Sequence, residues 1–116
     1  MSTLDASLDA IMEIDGAIAV AVFDFAKGAV LGERGEISLR GIASGVAALV
    51  QAKGTVMKGL NMNENMEDGM FTLETQYHLV KPVYSKSAVI YAIFDKNKSM
   101  LALVRRGLQD VAASIA

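Results

Sequence analysis

The rhythm of apolar and polar positions changes several times along this chain, and each change marks an element. Leu4, Leu8, Ile11 and Met12 recur at helical intervals, while Asp5, Asp9 and Glu13 share another face. That pattern predicts an amphipathic first helix, capped by Ser2 or Thr3, with a solvated acidic face, stopped at Asp15-Gly16. Residues Ala17 to Phe23 then run AIAVAVF without alternation, which predicts a strand buried on both faces. Asp24 to Gly28 supplies turn chemistry, and Ala29-Val30-Leu31 returns as a short second strand ended by Gly32 and Gly35.

Ser38 is placed to cap a longer helix. Leu39, Ile42, Val46, Leu49, Lys53, Val56 and Leu60 follow a three-and-four spacing that only the lysine breaks, and Val50 and Met57 widen the stripe. A polar loop from Asn61 to Gly69 follows. Phe71 to Tyr77, Leu79 to Val83 and Ala88 to Phe94 read as three further strands, with Pro82 marking an edge or an end. Asp95 or Asn97 caps a closing helix in which Leu101, Val104, Leu108, Val111 and Ile115 repeat at helical spacing. The order is α-β-β-α-β-β-β-α. It predicts an α/β (α+β) sandwich: a five-stranded, mainly antiparallel sheet with helices on both faces, residues 1–116 forming one domain.

The second helix carries two further features. At 100° per residue, Gly41, Gly45, Ala48 and Ala52 fall within an arc of about 60° on one flank of its stripe. Each glycine costs a helix roughly 0.5–1 kcal/mol relative to alanine, so two in one ridge point to close approach of another backbone. Arg40, Gln51 and Lys58 lie within about 20° of one another, with Ser44 nearby, on the side away from the stripe. They form a candidate partner-binding strip, set against the plainer reading of a solvated flank.

Composition narrows the function. Apolar residues make up 53% and charged residues 21%, which excludes intrinsic disorder. A net charge of −2 gives no global electrostatic reason to bind nucleic acid. The chain has no cysteine, which excludes disulfides, thiolate metal sites and a thiol nucleophile, and suits a reducing, cytoplasmic setting. Four carboxylates and no cation among the first twenty residues argue against a signal peptide, and no stretch reaches the roughly 18 apolar residues of a membrane span. A mean hydropathy of +0.36 with few aromatics points to apolar surface that an oligomer would cover.

Candidates for chemistry fail one by one. His78 is the single histidine: no second histidine or cysteine joins it to make a zinc site, and no serine at a nucleophile elbow completes a Ser-His-Asp triad. No phosphate-binding or dinucleotide glycine motif is present. Asn61, Asn63 and Asn65 imitate the start of a calcium loop, but Met66 and Thr72 stand where its glycine and bidentate glutamate belong. The expectation is no catalytic residue, no cofactor and no metal.

As an ordered set, three blocks resemble the roadblock (dynein light-chain roadblock) family. They are Ile14-Asp15-Gly16 through Asp24, Phe71 to Val83, and Ile90 to Leu108, where Phe94-Asp95-x-Asn97 precedes Leu101, Leu103, Arg105 and Leu108. The resemblance implies a homodimer with sheets joined edge to edge and the long middle helices side by side. It also implies a non-enzymatic regulator or adaptor, binding a small Ras-like GTPase or a motor or signalling complex. The alternative is a small-molecule-sensing α/β domain, with the seven methionines lining an apolar pocket.

Overall fold

The computed structural model describes residues 3–115, so a cap at Ser2 lies outside the described residues. Helix α1 (Thr3–Met12) leads into strands β1 (Ala17–Asp24) and β2 (Val30–Gly35). A 3-10 turn at Arg40–Ile42 opens helix α2 (Ala43–Gly59). Strands β3 (Gly69–Thr72), β4 (Gln76–Val83) and β5 (Ala88–Asp95) follow, and helix α3 (Leu101–Ile115) closes the fold. The strand order is β2-β1-β5-β4-β3, and every neighbouring pair is antiparallel. The expected sandwich is therefore observed, with its sheet wholly antiparallel.

Period-two alternation sorts the strands' side chains onto two faces. Val20, Val22, Ile90, Ala92, Phe94 and Leu79 meet Leu8 and Ile11 of α1 and Val104, Leu108 and Val111 of α3. Ala19, Ala21, Phe23, Val89, Tyr91, Ile93 and Val80 point the other way, toward Leu39, Ala43 and Val46. Strands β1 and β5 occupy the middle and are covered on both sides, as their unbroken apolar runs require. Val20, Val22, Ile90 and Ile93 are all buried. Pro82 pairs with Val89 on the β5 side, but β3 has ended by then, so β4 is an edge where the proline stands.

Several local expectations need correction. The second strand does not stop at Leu31: it runs to Gly35, because Gly32 is the point where α1 crosses, and a Cβ there would press on Leu8. Asp5 and Asp9 are not merely solvated, since Arg34 of β2 reaches back to both, at 3.0 and 3.1 Å, and ties α1 to the sheet edge. The break between the third and fourth strands falls at residues 73–75, before His78. Ser38 caps nothing: the residue before α2 is Ile42, and no side chain caps that end. Asp95 accepts a hydrogen bond from the Asn97 amide (2.9 Å) in the connecting turn, ahead of α3, which starts at Leu101, so neither residue caps it.

Candidate protein-interaction site

Helix α2 covers the other face of the sheet together with Leu39, the 3-10 turn, Phe25 and Met66, and it seats only its first turns there. Ala43 and Val46 are buried, but the apolar stripe then rises off the sheet. Leu49, Val56 (53% exposed) and Leu60 (63% exposed) face solvent, as do Met62 in the following loop and Met70, Phe71 and Leu73 around β3. Leu49, Met70 and Phe71 of these seven line a common groove between α2 and β3. The accessible surface is 6919 Å², against roughly 6,100 Å² for a compact monomer of this mass, an excess of about 800 Å². One side of a standard protein interface buries about that much.

The ridge lies beside this exposed stripe. Gly45, Ala48 and Ala52 are all exposed on α2, with Leu49 and Val56 within about 40° of Gly45 around the helix. A Cβ added at Gly41 or Gly45 would meet nothing within 4 Å. Their smallness therefore serves no packing inside this chain. Gly41 belongs to the 3-10 turn, ahead of the α-helical spacing that orders the other three.

Of the partner-strip residues, Ser44, Gln51 and Lys58 share one exposed side of α2, within about 40°. Arg40 is set apart from them. It sits in the 3-10 turn with its Nε 2.8 Å from Glu33, and Glu33 also accepts the Leu39 amide at 3.0 Å. Sequence spacing missed this because it extended the α-helix back through Arg40.

Shallow grooves flank α2. One of about 190 Å³ lies between α2 and β3, lined by Leu49, Val50, Lys53, Met66, Met70 and Phe71 among others. Another, of about 360 Å³, is lined by Ile42, Gly45, Val46, Leu49 and Tyr91. The Tyr91 hydroxyl is 2.7 Å from His78 Nδ1, and His78 Nε2 is 2.8 Å from Gln76 Oε1. Burial lowers the His78 pKa and raises that of Tyr91. The neutral imidazole fits this network, accepting from Tyr91 and donating to Gln76.

The two sheet edges differ as well. The β2 edge carries Glu33 and Arg34, both held in ion pairs, whereas β3 reads Gly-Met-Phe-Thr with no charge. Charged residues protect an edge from pairing, and β3 lacks them. The connection leading into β3 is nonetheless fixed. Tyr84 donates to the Met66 carbonyl at 3.0 Å, and Arg105 holds Asp68 at 3.2 Å. Sequence reading did not single out Phe71 or Tyr91, although the short uncharged run at 69–72 was the available signal.

No family model and no curated relative matches the sequence. Solved structures do. MglB of Myxococcus xanthus superimposes with a TM-score of 0.86 at 24% identity, over 97% of this chain and 84% of that one. A Roadblock/LC7 domain from Streptomyces avermitilis gives 0.85 at 12% identity, over 98% and 95%. The chain has the roadblock fold. A second roadblock-like match, the gliding protein MglB of Thermus thermophilus, gives 0.85 at 19% identity, over 98% and 86%.

Proposed function

We propose that this protein is a non-enzymatic regulatory or adaptor module that acts as a homodimer in the cytoplasm, residues 1–116 working as one unit. Two α2 helices lie side by side through Gly41, Gly45, Ala48 and Ala52, and two β3 edges join. The composite face, with two copies of Arg40, Ser44, Gln51 and Lys58, docks a small Ras-like GTPase or an adaptor protein. The observation that carries this reading is the coincidence of three features at one end: an exposed apolar stripe, a small-residue ridge unused within the chain, and an uncharged strand edge. A similar solved MglB is described as a tetrameric arrangement, so self-assembly occurs within this fold.

The sensor alternative finds less support. Of the two grooves that flank α2, the one beside β3 is smaller than the roughly 300 Å³ at which ligand pockets begin, and the other is lined mostly by apolar side chains; a further open groove of about 640 Å³ beside α3, lined by Asp68, Lys81, Arg105, Arg106 and Asp110, lacks the apolar wall of a typical ligand pocket. Capture from native lysate with identification of co-purifying small GTPases tests the proposal. Arg40→Glu combined with Lys58→Glu should then slow association with that partner and alter its salt dependence, with the dimer intact. Unchanged affinity at low salt would move the docking site elsewhere.

A further inference from the structure

We propose that Met62, Met66 and Met70 form an oxidation site through which peroxides control self-association; this rests on the reading of the α2–β3 end as the dimer surface. The three stand at four-residue intervals from the end of α2 into β3. Met62 is 43% and Met70 38% exposed, and Met66 and Met70 both line the groove between α2 and β3. With no cysteine in the chain, thioethers are its only sulfur, and no thiol competes for the oxidant.

The chemistry is a two-electron oxygen transfer. The methionine sulfur lone pair forms the S–O bond as the peroxide O–O bond breaks. The hydrogen on the transferred oxygen passes to the departing hydroxide, and water leaves. Sulfur is oxidised to the sulfoxide and the peroxide is reduced. A sulfoxide is a strong hydrogen-bond acceptor, and on a face that association strips of water it loses its partners. The unmodified thioether suffers no such loss and adapts to an irregular apolar contact.

Position makes the effect selective. Met12 packs against the core between the sheet and its helices. Met100 is the most exposed of the large apolar residues among those described, at 66%, but it precedes α3, on the other side of the sheet from α2. Its oxidation serves as an internal control. A dimer that covers the α2–β3 end shields the three sulfurs, so modification proceeds through the free subunit and traps it.

The test is to treat the full chain with hydrogen peroxide, locate sulfoxides by peptide mass spectrometry and measure dimer dissociation by sedimentation velocity. Sulfoxides at Met62, Met66 and Met70 should raise the dissociation constant about tenfold or more, equivalent to ~1.4 kcal/mol. Methionine sulfoxide reductases should reverse the change, and the oxidation rate at these three should rise on dilution while that at Met100 stays constant. Met62→Leu, Met66→Leu and Met70→Leu together should preserve the dimer and abolish its response to peroxide. A dimer that carries all three sulfoxides with an unchanged dissociation constant overturns this proposal alone, as does a triple variant that still responds. Untreated protein that is monomeric at every concentration overturns the dimer reading along with it.

Discussion

The two faces of the sheet are covered differently, and the difference separates what folds the chain from what it is proposed to do. On one face α1 and α3 pack on each other and on the central strands, burying Leu8, Ile11, Phe94, Val104 and Leu108. Even the one buried polar residue among the described residues, Ser7 of α1, is hydrogen-bonded to Ser114 of α3, at 3.2 Å. On the other face a single helix stands over the same strands, and only Ala43 and Val46 of it are buried. Completed packing on the first face stabilises the monomer; incomplete packing on the second leaves free energy available for association.

Substitutions of matched chemistry on the two faces should break this comparison if it is wrong. The largest effect is expected for Val22→Asp, on the α1/α3 side of β1. An unpaired buried carboxylate costs several kcal/mol against a total stability of about 5–15 kcal/mol, so the domain should lose its cooperative thermal transition. The same carboxylate at Leu60, Leu60→Asp, should leave the monomer's transition within about 0.5 kcal/mol of the parent, since the side chain is already solvated. Its effect belongs to association and is read by sedimentation. Equal destabilisation by both would show that α2 is packed as completely as α1 and α3.

Gly45→Leu sharpens the comparison further. The site has room for a side chain within one subunit, and leucine is the better helix former, so far-ultraviolet circular dichroism should be unchanged or slightly more helical. Close approach of a second helix should be obstructed, weakening the dimer. A dimer of undiminished strength would place the contact on another flank of α2.

Much of this architecture was legible because burial writes itself as periodicity. AIAVAVF and AVIYAIF read as central strands and are, and α3's repeat gave its buried face correctly. What escaped was set by partners distant in sequence. Gly32 looked like the end of β2, yet it accommodates Leu8 from another element. Arg34 lies beyond the expected end of that strand, yet it clamps Asp5 and Asp9. The turn at 73–75, Leu-Glu-Thr, contains no glycine or proline to announce it. For the candidate site, the ridge on α2 was readable from spacing, but exposure of Leu49, Val56 and Phe71 depends on where the helix leaves the sheet, which spacing alone does not give.

The smallest expected effect concerns the polar network on the α2 face. Burial holds the His78 pKa below its ordinary 6.5, so the unfolded chain takes up the proton first as pH falls. Stability contributed by neutral His78 is therefore complete above about pH 6.5, declines as pH falls toward the folded-state value, and levels off below it. Urea melts at pH 7.5 and pH 5.5 should show a smaller difference for His78→Gln than for the parent chain. An identical difference would mean that the imidazole titrates as it does in the unfolded state.

Sedimentation equilibrium of the unmodified chain across nanomolar to micromolar concentrations tests the central claim most directly. The exposed stripe, the unused glycine ridge and the uncharged β3 edge together predict twice the 12.3 kDa chain mass at micromolar concentration, with dissociation on dilution. A mass of one chain throughout that range would contradict the account.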